Sequence, residues 1–77
     1  MIASQRWHRL RAGAHTMTGW IGDSQLTYLA VRGKSGWVLT RSVAGAGTTV
    51  IGEPTPTLRA SKAVAAADLD TGLLRFV

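Results

Sequence analysis

The chain is 77 residues long, with nine Lys+Arg against four Asp+Glu, no cysteine and a formal charge of +5. That length holds one small domain and excludes a barrel enzyme, a Rossmann dinucleotide domain and any two-domain cleft. Without cysteine there is no disulfide framework, no thiol nucleophile and no Cys-based zinc site.

In chain order, the N-terminal third is the least regular. Arg6 to Arg11 reads as a strand or an arm, with Trp7 and Leu10 as anchors, and His15 to Ile21 reads as a further strand. Glycines then divide short runs rich in Thr, Val, Trp and Leu, a strand-and-turn texture. Gln25 to Arg32 predicts a strand with apolar groups on both faces, which suits a central position. Gly33-Lys34-Ser35-Gly36 is a hairpin connection, because its glycines tolerate positive φ. Trp37 to Ser42 is the partner strand, Ala44 to Gly47 a second turn, and Thr48 to Gly52 a third strand, so a meander spans about 25–52.

The texture changes at Glu53-Pro54-Thr55-Pro56, a stiff lead-in in which each proline biases its predecessor away from α. Thr57 stands as N-cap, its hydroxyl free to accept an orphan N–H. A helix over about 58–69 follows, with Leu58, Ser61, Ala65 and Leu69 on one face and Ala60, Ala63, Val64 and Ala67 beside them. Gly72 is the expected C′ residue, which leaves Asp68 and Asp70 poorly placed near the negative end of the dipole. Leu73 to Val77 is an apolar tail or a short last strand. The expected fold class is α+β: a small antiparallel sheet of three to five strands with one C-terminal helix packed on it.

A domain of this size buries only about 60% of its unfolded surface. Alanine adds little buried area, so Trp7, Trp20, Tyr28, Trp37, Phe76 and the larger aliphatics must supply the core. The longest apolar run, Ala63 to Ala67, is far short of the roughly 20 residues that span a bilayer. The segment from Met1 to Leu10 carries Arg6, His8 and Arg9 and lacks the apolar stretch of a signal peptide. A cytoplasmic location is the expectation.

Catalytic motifs are missing their partners. Gly33-Lys34-Ser35 ends like a P-loop, but Tyr28 stands where its first glycine belongs and a strand follows it. His8 and His15, with Asp23 as the nearest acid, fall short of a metal ligand set. No serine sits in a nucleophile elbow, and Asp68 and Asp70 are two apart, so they do not face each other on a helix. The chain reads as non-enzymatic, with no cofactor and no metal.

Charge is the remaining feature. Residues 1–62 hold eight of the nine cations and only Asp23 and Glu53 as acids, whereas 63–77 hold Arg75 against Asp68 and Asp70. Arg6, Arg9 and Arg11 cluster beside His8, Arg32 and Lys34 flank the first hairpin turn, Arg41 ends the next strand, and Arg59 and Lys62 lie on the first helical turns. A sheet that carries Arg32, Lys34 and Arg41, with Trp37 available to stack on a base, would give a footprint for phosphate contacts. The candidate nucleic-acid-binding residues are therefore Arg6, Arg9, Arg11, Arg32, Lys34, Trp37 and Arg41. Ordinary solvated charge explains the same residues, since +5 lies in the usual solubility range.

The segment from Tyr28 to Ala66, with its Gly36-Trp37-Val38-Leu39-Thr40-Arg41 strand and Thr57-Leu58-Arg59-Ala60-Ser61-Lys62-Ala63 helix start, resembles small actinobacterial and actinobacteriophage accessory proteins of unassigned function. Three strands followed by one helix also resemble the DNA-binding module at the N-terminus of phage-type integrases, which lays its sheet in the major groove. That resemblance implies that Arg32, Lys34, Trp37, Leu39 and Arg41 lie on or beside a reading face. The resemblance to the accessory proteins implies a phage-type factor, working in the host cytoplasm if phage-encoded. The competing expectation is a protein-interaction module, a host-protein binder or a homo-oligomer, using Leu73, Leu74, Phe76 and Val77 to gain burial from a partner.

Overall fold

The structure is a computed structural model that describes residues 6–21 and 24–75. Five strands form one antiparallel sheet: β1 (Trp7–Arg11), β2 (Ala14–Ile21), β3 (Ser24–Gly33), β4 (Gly36–Val43) and β5 (Gly47–Val50). Spatial order equals chain order, so the sheet is a pure meander. The tract that is apolar on both faces, β3, is its central strand, and the less regular N-terminal third supplies β1 and β2. A register shift between Arg9 and Arg11 marks a bulge in β1.

One helix, α1 (Leu58–Arg75), covers one face of the sheet. Thr57 caps it, its Oγ1 accepting the Ala60 N–H at 3.1 Å, which stabilises a helix start by about 1 kcal/mol. Ser61, Ala65 and Leu69 are buried, and Leu58 packs partly against them. The small residues of this stripe bring the helix close to the sheet. At Gly19 an added Cβ would already touch the Leu69 methyls at 3.6 Å. On the sheet side, the core is Met17, Leu26, Tyr28, Ala30 and Leu39, flanked by Trp7, Trp37, Val43 and Ile51.

Two expectations need correction. The helix does not stop before Gly72 but continues to Arg75. Thr71 tolerates this by donating its hydroxyl to the Ala67 carbonyl at 2.9 Å, and Leu73 and Leu74 are good helix formers. Leu73 and Leu74 are therefore helical, not a tail or a strand, while Phe76 and Val77 lie outside the described residues. Trp20 is not core: it stands on the sheet face away from α1 and is 48% exposed.

The proline-rich lead-in has a structural task. After β5, Ile51 N–H donates to Leu39 O at 2.8 Å, and Thr55 exchanges two backbone hydrogen bonds with Trp37, at 2.7 and 2.9 Å. The chain thus follows β4 back to its start and delivers Thr57 there. Gly36 makes the approach possible. Its φ is +121°, and a Cβ at this position would lie 2.4 Å from the Thr55 carbonyl oxygen.

The opposite sheet face carries no helix. Its central row runs Thr16, Leu29, Thr40, Val50 across β2 to β5, with Val31 and Val38 paired beside it.

Candidate nucleic-acid interface

A meander that starts with β1 places its first and third turns at one end of the sheet. The β1–β2 and β3–β4 turns therefore lie side by side, and Arg32 N–H donates to Gly13 O at 2.8 Å across them. The Trp37–Thr55 pairing brings the helix start to the same end. Arg11 closes β1, Arg32 is the last residue but one of β3, Lys34 sits in the hairpin turn and Arg59 lies on the first helical turn, all four exposed. The positive end of the helix dipole adds to the same pole. Glu53 is exposed on the loop that leads from β5 back along β4 to the helix start.

The candidate residues do not form an open sheet face: Arg9, Arg32, Trp37 and Arg41 take the side on which α1 packs, and Arg11 the other. Arg6 precedes β1 and is exposed, and Arg9 stands on β1 opposite His15. Trp37 is half-buried against the core, its ring tilted 58° to that of His15 with centroids 5.7 Å apart. The two rings meet across β3 beside Ala30, whose methyl leaves them room.

Leu39 and Arg41 overturn the expected reading face. Leu39 is 3% exposed, beneath α1. Arg41 points the same way, and its Nη1 donates to Asp68 Oδ1 and Oδ2 at 2.8 and 2.7 Å. Tyr28, opposite Arg41 on β3, donates its hydroxyl to Asp68 Oδ2 at 2.7 Å. Burial first, and then the hydrogen bond to the Asp68 carboxylate, push the Tyr28 phenol far above its ordinary value. The bond to Asp68 likewise raises Arg41. A guanidinium so occupied is a structural group holding helix to sheet.

This cluster also explains Asp68. Because α1 continues to Arg75, Asp68 is a mid-helix residue clear of the unfavourable terminus, and its partners come from β3 and β4. The sequence contained a signal: Asp68 borders the Ser61–Ala65–Leu69 stripe and is one residue from its end. Lys62 has a local partner too, its Nζ lying 5.7 Å from the Trp7 ring centroid, a cation–π geometry. Arg59 was legible as a basic residue, but not as one at the same pole as Lys34. Strand parity in a meander, together with the proline lead-in, is what brings both to that end.

Among the described residues no group of three or more His, Asp or Glu is placed to hold a metal ion. No described helix is long and apolar enough to cross a membrane. Comparison with known proteins finds no matching family model, no similar curated protein and no similar solved structure. The molecule is a five-stranded antiparallel meander with one helix on one face, and its candidate site rests on the geometry above.

Proposed function

We propose that this chain is a non-enzymatic binding protein that takes hold of nucleic-acid backbone phosphates with the basic end of its sheet, as a phage-type accessory factor. The observation that supports this reading is the convergence of two hairpin turns and a helix start on one pole, presenting Arg11, Arg32, Lys34 and Arg59 to solvent. Phosphate contacts need exposed cations and donor N–H groups, and they position a backbone without reading its sequence. Arg41, held by Asp68, takes no part.

The test is fluorescence anisotropy with labelled duplex and single-stranded oligonucleotides at increasing salt. Engagement of three or four phosphates gives a slope of about −3 to −4 in log affinity against log salt on duplex. Affinity then falls roughly 100-fold between 50 and 200 mM salt. Arg32→Ala and Lys34→Ala each reduce the slope by about one. No binding to either strand form at low salt, or an unchanged slope in both variants, refutes the reading.

A further inference from the structure

We propose that the helix-free face of the sheet is the contact surface for a second copy of this chain, packed sheet on sheet.

The first observation is an inversion of the usual charge distribution. An antiparallel sheet with one covered face normally turns its polar and charged residues to water on the other. Here Arg9, Arg32 and Arg41 occupy positions on the same side as α1, in register with His15, Trp37 and Tyr28. On the helix-free side, β2 to β5 carry no Asp, Glu, Lys or Arg at all. The central row, Thr16–Leu29–Thr40–Val50, and the Val31–Val38 pair are apolar or hydroxyl-bearing throughout. Among the described residues, Arg11 and His8 on β1 are the basic groups at its rim, and they lie along one edge.

The second observation is exposure. Trp20 at one end of this face is 48% exposed, and Val50 on β5 is 61% exposed. Large apolar groups left in water beside an uncharged surface mark a contact site.

Charge selects the occupant. The chain carries +5, so two copies repel wherever charged surfaces meet. Across β2 to β5, the helix-free face is the part of the described sheet on which copies can meet without opposing cations. Away from the β1 rim it also offers an acidic partner no cation. Its size fits. The four uncharged strands, β2 to β5, about 4.8 Å apart and some 25 Å long, give roughly 500 Å² per copy. A pair then buries roughly 1,000 Å², the threshold for a specific interface. Threonine and valine rows on two twisted sheets interdigitate at a separation of about 10 Å, as in a β-sandwich. A two-fold pairing uses the same patch on both copies.

Sedimentation equilibrium of the full chain, from about 1 to 500 μM, tests the proposal. The expected result is a concentration-dependent rise from 8.2 kDa to twice that mass. Trp20→Lys and Val50→Lys alter side chains that are already exposed, so the monomer keeps its fold. Each is expected to weaken association at least about 10-fold, because a lysine buried in the pair has no counter-charge. Thr27→Lys, at mid-face, is expected to weaken it about 100-fold. Lys34→Ala, at the basic pole, leaves association unchanged while lowering nucleic-acid affinity, so the two proposals fail separately. A chain that stays monomeric at 500 μM overturns the inference, whether or not it binds phosphatidylcholine vesicles. So does a dimer that all three lysine variants leave intact.

Discussion

Asp68→Ala removes the single acceptor that ties α1 to both central strands. The magnitude follows from the two bonds lost. Tyr28 is fully buried, and without Asp68 its hydroxyl has no partner, which costs about 1–3 kcal/mol. The Arg41 pair is partly exposed, with side chains 27% and 19% accessible, and contributes about 0.5–1 kcal/mol. The expected loss is therefore roughly 2–4 kcal/mol, a large share of the stability of a domain this small. In melting temperature it corresponds to a fall of roughly 10–25 °C. Urea denaturation followed by tryptophan fluorescence at pH 7 measures it. Asp68→Asn keeps an acceptor for Tyr28 and is expected to cost about half as much. Tyr28→Phe removes the hydroxyl, so a double-mutant cycle with Asp68→Ala isolates their coupling at about 1 kcal/mol or more. A loss below about 0.5 kcal/mol in Asp68→Ala would refute the assignment of this carboxylate as the helix anchor.

The same cluster sets a response to alkali. The folded Tyr28 phenol titrates above its unfolded value of about 10. Its contribution is thus complete below pH 10 and is lost as pH rises toward the folded value. Unfolding free energy is expected to fall above pH 10 by up to about 1.4 kcal/mol per pH unit, a slope Tyr28→Phe abolishes. Gly36→Ala and Gly45→Ala form a matched pair in thermal melts. Both have positive φ, but an added Cβ meets the Thr55 carbonyl at 2.4 Å in the first and nothing within 4 Å in the second. Gly45→Ala is expected to cost about 1 kcal/mol, the left-handed penalty alone, and Gly36→Ala at least about 2 kcal/mol more through loss of the Trp37–Thr55 pairing. Ser61 Oγ is buried with no hydrogen-bond partner among the described residues. Ser61→Ala is therefore expected to raise stability by about 1 kcal/mol in the same urea assay.

The architecture was largely legible in the sequence, because its devices are local. Alternation and turn glycines marked β3 and β4, and Thr57 after two prolines marked the start of α1. The helix end was misread because Gly72 is a stop signal in isolation, whereas Leu73 and Leu74 carry the helix past it. The site was harder to see, because it depends on which side of a strand each residue takes. Arg32, Leu39 and Arg41 look alike as members of a basic strand pair. Only the helix position shows that Leu39 is core and Arg41 is bound to Asp68. Trp20 and Trp37, both expected in the core, part for the same reason: β4 turns Trp37 to the core, whereas β2 turns Trp20 to the helix-free face.

The identity of strand order and chain order bears on how the molecule assembles. Each strand pairs with its neighbours in sequence, so the sheet closes through successive short loops, the arrangement that folds fast. The helix is held by bonds of another kind, Arg41–Asp68 across 27 residues and Tyr28–Asp68 across 40. These long loops close at greater entropic cost. Docking of α1 is then expected to come late in folding, with the helix opening at lower cost than the central strand. Native-state hydrogen exchange should accordingly divide the molecule, with the amides of α1 exchanging through a lower-energy opening than those of β3.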